Sequence, residues 1–121
     1  MRVLIADPHK KTRRALSLLL HEEQGVSAIC EAFDAECTLQ LAAEETIDLV
    51  LLDEELPGSP IKNLIDELHF LIPAPKIIVM TNDLEKGRLF LRNGANAFIS
   101  KSDPPDWLLS TLRGLIEPIE E

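Results

Sequence analysis

The sequence has no tyrosine, one tryptophan, four phenylalanines and only five glycines in 121 residues. It therefore lacks the aromatics that sandwich a flavin ring. It also lacks the Gly-, Ser- or Thr-rich phosphate loop such a cofactor needs after the first apolar run, where "DPHKK" stands instead. Cysteine is scarce. Cys30 and Cys37 have neither zinc spacing nor the density of a secreted disulfide scaffold, so reduced, packed thiols are expected. Positive charge is short as well: 12 Lys plus Arg stand against 21 Asp plus Glu, a formal charge of -9, which argues against nucleic acid or an anionic membrane surface as a direct partner. No apolar run approaches the ~20 residues that span a bilayer, and the few apolar residues between Arg2 and Asp7 fall far short of a secretory core. A cytoplasmic protein is the expectation.

What is present is a regular alternation. Hydrophobic residues make up 45% of the chain, enough for one core, and a single domain over 1–121 is expected. The short apolar runs "VLIA", "VSAICEA", "LVLLD", "KIIVMT" and "AFIS" are separated by segments of helical period. The first helix turns Leu16, Leu19 and Leu20 inward and ends before Gly25. In the third, Ser59 caps, Pro60 takes the first helical position, and Ile61, Leu64, Ile65, Leu68 and Ile72 form the apolar stripe. Asn93-Gly94 closes the fourth. The last helix starts at Pro104 and Pro105 and aligns Leu108, Leu112, Leu115 and Ile119, leaving a short acidic tail. Five strands and five helices in strict alternation predict an α/β fold, a doubly wound parallel sheet of the (βα)5 kind, and the chain is too short for an eightfold barrel.

In such sheets the site lies beyond the carboxyl ends of the strands. Reading the residue after each run gives Asp7, Asp53, Thr81 and Lys101. A lone Asp at a strand end is usually a helix cap, but an acid pair, a hydroxyl and an ammonium on one rim ask for more. Asp53 follows "DLVLL" without polar relief, so its carboxylate needs a counter-charge. Lys101 can supply one, and a magnesium ion held by Asp7 and Asp53 would supply more.

These stretches, "LIADPHKKTRRAL", "IDLVLLDEELPG", "PKIIVMT" and "GANAFISK", resemble the receiver domains of two-component response regulators, and the resemblance covers nearly the whole chain. "IAD" and "GANAFISK" are most similar to receivers attached to transcription factors. The resemblance implies a flavodoxin-like sheet of strand order 2-1-3-4-5 and a signalling module rather than an enzyme. It further implies transfer of a phosphoryl group from a histidine kinase or phosphotransfer protein to Asp53. Magnesium would be held by Asp7, Asp53 and the backbone carbonyl of Glu55, Lys101 and Thr81 would take phosphoryl oxygens, and Phe98 would be the switch aromatic coupled to Thr81. A homodimer or effector surface on the fourth helix, fifth strand and fifth helix is implied too, where Leu89, Phe90 and Trp107 offer an apolar patch.

The chain departs from the family at three places. The first strand of a typical receiver ends in two adjacent acids, the second of which touches the metal; here that place is Pro8, and magnesium should be weakened unless Glu54 or Glu55 lends a side chain. The residue after Thr81 is usually very small, and here it is Asn82; the span from Thr81 to Gly94 is also shorter than usual by about two residues. Lys10, Lys11, Arg13 and Arg14 crowd the start of the first helix, where the macrodipole disfavours cations. They could be a solvated basic face, or His9 or Lys10 could lean over the acidic rim and stand in for the missing metal charge. An atypical receiver that binds partners without phosphorylation is therefore the alternative. An aspartyl-nucleophile phosphatase would use Glu55 as its acid but lacks the small hydroxyl residue expected after it.

Overall fold

A computed structural model describes residues 1–116. The elements run β1 (Arg2–Ala6), α1 (Lys10–His21), β2 (Ala28–Ala32), α2 (Ala35–Glu44), β3 (Leu49–Asp53), α3 (Ile61–His69), β4 (Lys76–Met80), α4 (Leu84–Arg92), β5 (Ala97–Ile99) and α5 (Pro105–Ile116). All strand pairs are parallel and the order is β2-β1-β3-β4-β5, the doubly wound arrangement read from the sequence. The central strands are hydrophobic on both faces because helices cover both. Val3, Ile5, Leu49, Leu51, Ile78, Met80 and Ile99 pack with Leu20, Leu108 and Leu112 of α1 and α5. The alternate residues Leu4, Ala6, Val50, Leu52, Ile77 and Val79 pack against α2, α3 and the partly buried Phe90 and Phe98. Each fully buried Leu or Ile contributes roughly 1.5–3 kcal/mol through apolar surface removed from water.

Strand period 2 also orients the polar ends. On β1 the odd positions 3 and 5 face α1 and α5, so Asp7 continues toward that side; on β3, 49 and 51 lead to Asp53 in the same way. The register aligns Asp53 with Met80, and Met80 with Ile99, so Lys101 lies two residues beyond on the same side. Thr81 extends the opposite parity, that of Ile77 and Val79, whose neighbour across the sheet is Phe98.

Helix ends follow local chemistry. α2 is capped by Asp34, whose carboxylate accepts from the Cys37 N–H at 2.8 Å. α4 closes as a Schellman motif: the Gly94 N–H donates to Leu91 O at 3.1 Å and the Ala95 N–H to Phe90 O at 3.0 Å, with Gly94 at φ +117° where a side chain would be strained. The third helix differs from the sequence expectation. Pro60 is the residue before the helix rather than its first residue, it makes no side-chain cap, and Ser59 is not the cap. α3 also stops at His69, leaving Ile72 fully outside the stripe at 97% exposure, because the chain turns at Phe70 and Leu71 toward β4. Ile119 and the tail lie outside the described residues.

Candidate functional site

The carboxyl edge of β1, β3 and β5 brings three of the expected residues into direct contact. The Lys101 ammonium lies 2.8 Å from Asp7 Oδ2 and 3.1 Å from Asp53 Oδ1, bridging two carboxylates from distant parts of the chain. Both acids are buried, Asp7 at 0% and Asp53 at 2% exposure, whereas Lys101 reaches solvent. Burial pushes the Asp53 carboxyl above the ordinary aspartate range; the hydrogen bond from Lys101 opposes this, and the negative charges of Asp7 and Glu55 add to the rise. For Lys101, burial works to lower the pKa, but its hydrogen bonds to Asp7 and Asp53 and their charges outweigh that and hold it above the usual lysine value.

The start of α1 secures Asp7 from the other side. Asp7, Pro8 and His9 form an Asx-type turn in which the His9 N–H donates to Asp7 Oδ1 at 2.8 Å, and the His9 Nδ1 lies 3.1 Å from the same oxygen. Of the two residues expected to lean over the acidic rim, His9 does so, while the ammonium between the two acids belongs to Lys101. The basic cluster also contains a residue whose role the sequence did not disclose. Arg13, 15% exposed, donates from Nη1 to the Asp7 carbonyl at 2.8 Å and from Nε to Glu31 at 3.0 Å, fixing the end of β1 against β2. Its signal was only a cation where the helix dipole disfavours one.

Thr81 is buried just after β4, and its hydroxyl oxygen accepts from the Asp83 N–H at 3.1 Å, at the entry to α4. Asp83 caps that helix, accepting from the Glu85 and Lys86 N–H groups at 2.9 and 3.2 Å. Replacing Asp83 with Ala should cost about 1 kcal/mol and loosen the first turn of α4, visible as faster amide exchange at Glu85 and Lys86. The exposed Asn82 takes the Ser100 hydroxyl on its side-chain oxygen, tying the loop after β4 to the loop that carries Lys101. Glu55 sits in the exposed turn after β3, where the Leu56 N–H closes back on Asp53 O at 3.1 Å.

The donor set fits a hard divalent cation. Among the described residues Asp53 Oδ2 is buried without a hydrogen-bond partner and Asp7 Oδ2 faces the ammonium alone, and Asp7, His9 and Asp53 each offer an atom within 4.8 Å of the others. Asp7 and Asp53, with the His9 ring beside them, are the side chains that would hold it.

Phe98 packs under α4 against Gly87, where a Cβ would overlap its ring. Beside it, a groove of about 480 Å³ runs between α4 and α5, lined by Thr81, Leu84, Phe98 and Trp107 among others. Leu84 and Trp107 are exposed beside this groove and Leu89 is exposed elsewhere on α4; Phe90, expected to join them, instead packs against the core below α4.

A five-stranded sheet of order 2-1-3-4-5 with a buried acid pair under an ammonium at its carboxyl edge defines the receiver class of α/β domains. The chain belongs to the response regulator receiver domain family, whose model matches residues 3–113. It is 28% identical over 116 residues to the oxygen regulatory protein NreC of Staphylococcus haemolyticus, covering 93% of this chain and 54% of that protein. It thus spans about half the length of the curated relatives it matches. Among solved structures it is similar to a CheY-like receiver domain protein of Methanospirillum hungatei (TM-score 0.82, 28% identity, covering 93% of this chain and 90% of that one). It is also similar to a LuxR-family response regulator of Aurantimonas (TM-score 0.83, 25% identity, covering 94% and 83%). The chain is a receiver domain of a two-component response regulator, a signalling module rather than a classical enzyme. No described helix is long and apolar enough to cross a membrane.

Proposed function

We propose that Asp53 is the phosphoacceptor of this receiver, and that residues 1–121 act as one signalling domain whose state Asp53 sets. The observation that carries the reading is the Asp53 carboxylate itself: buried, one oxygen held by Lys101 at 3.1 Å and the other free of hydrogen bonds among the described residues. A free carboxylate oxygen can attack phosphorus directly. The O–P bond of an acyl phosphate forms, the P–N bond to the donor histidine breaks, and the departing imidazole takes its proton from solvent. No base is needed, because the carboxylate attacks in its ionised form. A magnesium ion on Asp7, Asp53 and the Glu55 carbonyl would supply positive charge to the transferring phosphoryl oxygens.

Lys101 then exchanges its Asp53 oxygen for a phosphoryl oxygen, and the Thr81 hydroxyl, whose proton is not used in accepting from Asp83, donates to another. Because Thr81 abuts the cap of α4 and Phe98 packs beneath that helix, the change is passed to α4, β5 and α5. Their exposed Leu84, Leu89 and Trp107 form the surface for a second copy or an effector. The groove of about 460 Å³ between α1 and the loop after β5, lined by Leu16, Leu19, Pro104, Pro105 and Leu108 with Lys101 at its edge, suits the docking of a histidine kinase or phosphotransfer protein beside Asp53.

A second reading rests on the bridge itself. Lys101 already pairs with both acids, and Asn82 spans the rim to Ser100, which favours a module that binds partners without phosphate. Incubation with acetyl phosphate and magnesium, followed by intact-mass measurement, separates them. One phosphoryl group on the wild type and none on Asp53→Asn is the expected result; an unmodified wild type would favour the second reading.

A further inference from the structure

The Asp7-Pro8-His9 turn replaces an acid with a different ligand type. We infer that His9 supplies an imidazole nitrogen to the cation site formed with Asp7 and Asp53, and that the site selects a first-row divalent transition ion over magnesium. The inference rests on the acid pocket holding a cation and names which one.

Pro8 has a fixed φ and no N–H, so the turn returns the chain at His9, and the imidazole reaches the rim with Nδ1 3.1 Å from Asp7 Oδ1. His9 Nδ1, Asp7 and Asp53 offer donor atoms within 4.8 Å of one another. Ligand atoms around one ion at bond lengths of about 2.0–2.2 Å lie roughly 3–4.4 Å apart, so the site closes with a shift of a few tenths of an ångström. The exposed imidazole can make that shift, its side chain being 57% accessible, while the buried acids stay fixed. Asp7 does not lose its orientation when the ring turns to a metal, because the His9 backbone N–H still holds Oδ1 at 2.8 Å and Arg13 still holds its carbonyl. A second, independent sign that a ligand belongs here is the buried, partnerless Asp53 Oδ2.

Magnesium prefers an all-oxygen octahedron and keeps its water, so an imidazole adds little to its binding. Cobalt, nickel and zinc take imidazole nitrogen readily. Lys101 competes with every ion alike and drops out of the ratio.

Isothermal titration of the full chain with Co2+ and with Mg2+ tests this on the wild type, His9→Ala and Asp53→Asn, with proton NMR of the ring signals of His9, His21 and His69. The wild type should bind Co2+ at least about 100-fold more tightly than Mg2+. His9→Ala should lose about 10- to 100-fold for Co2+ and leave Mg2+ within about twofold. Asp53→Asn should weaken both, and paramagnetic shifts should fall on His9. Equal effects of His9→Ala on the two ions, or no effect on either, would overturn the inference, as would shifts confined to His21 or His69, or the intense near-ultraviolet bands of cobalt on Cys30 or Cys37. Phosphate uptake at Asp53 is read separately by mass. Uptake with a His9→Ala variant indifferent to cobalt removes only the metal assignment; selective cobalt binding without uptake removes only the phosphoacceptor reading.

Discussion

Lys101→Met should lower the stability of the chelator-treated protein at neutral pH by about 2–3 kcal/mol, measured by urea unfolding, with the loss shrinking as pH falls. Removing one partner of a fully buried pair costs about 3–5 kcal/mol, and the estimate here is reduced because Lys101 stands at the mouth and its replacement admits water. The sign with pH follows from the two shifts. Asp53 has its folded pKa raised, so the stability it contributes is complete below its unfolded value and is lost as pH rises through the folded one: ionised Asp53 opposes folding. Lys101 is also raised, so its favourable contribution is complete below the ordinary lysine value and is lost only as pH climbs through its higher folded value. In the wild type the two contributions act in opposite directions across the neutral range. Without the ammonium, Asp53 and Asp7 face each other unrelieved, and protonation of Asp53 as pH falls relieves them. A variant whose loss is as large at pH 4 as at pH 7 would show that Lys101 acts through packing. A divalent cation should restore more stability to Lys101→Met than it adds to the wild type, because it enters a pocket with no resident ammonium to displace.

This pocket was readable in the sequence because each apolar run ends on the polar residue that the strand period turns to a particular face. Val3, Ile5 and Asp7 share a parity, as do Leu49, Leu51 and Asp53, so the acids were bound to converge once the strands lay parallel and in register. Lys101 followed from the same count along β5. What escaped was whatever depends on a backbone turn or on a partner outside the local window. Nothing in "DPHKK" distinguishes His9 from Lys10 as the residue on the rim; the Asx turn at Asp7 decides it. Arg13 reads as one more exposed cation until β2 brings Glu31 beside it. Ile72 continues a three-and-four spacing perfectly well, yet the helix has already ended at His69, because β4 must begin at Lys76 and the chain between them has to cross the end of the sheet. Phe90 left the expected surface patch, and Leu84, for which the sequence suggested no place, is exposed, for a similar reason: the orientation of α4 is fixed by what lies beneath it, not by its own composition.

What lies beneath α4 is Phe98, and the second large effect is expected there. A glycine inside a helix costs about 1 kcal/mol relative to alanine, so Gly87→Ala would stabilise an isolated α4. In the folded chain it should instead cost about 1–3 kcal/mol, because the new Cβ would overlap the ring atoms of Phe98, a rigid plane rather than a flexible tip. Either α4 lifts from β5 or the ring leaves its site. Phe98→Ala removes the obstacle, at a cost of its own from lost apolar burial. In that background Gly87→Ala should become neutral or stabilising by up to about 1 kcal/mol. The four proteins form a double-mutant cycle read by urea unfolding, and the coupling, of order 2 kcal/mol, is the quantity that matters. Equal costs of Gly87→Ala in both backgrounds would mean that the two residues are independent, and that displacement of Phe98 has no route to the helix above it. Strong coupling would make the pair a mechanical joint: with Gly87 closed on the ring, Phe98 cannot change place unless α4 yields, and α4 carries the exposed Leu84 and Leu89 with it.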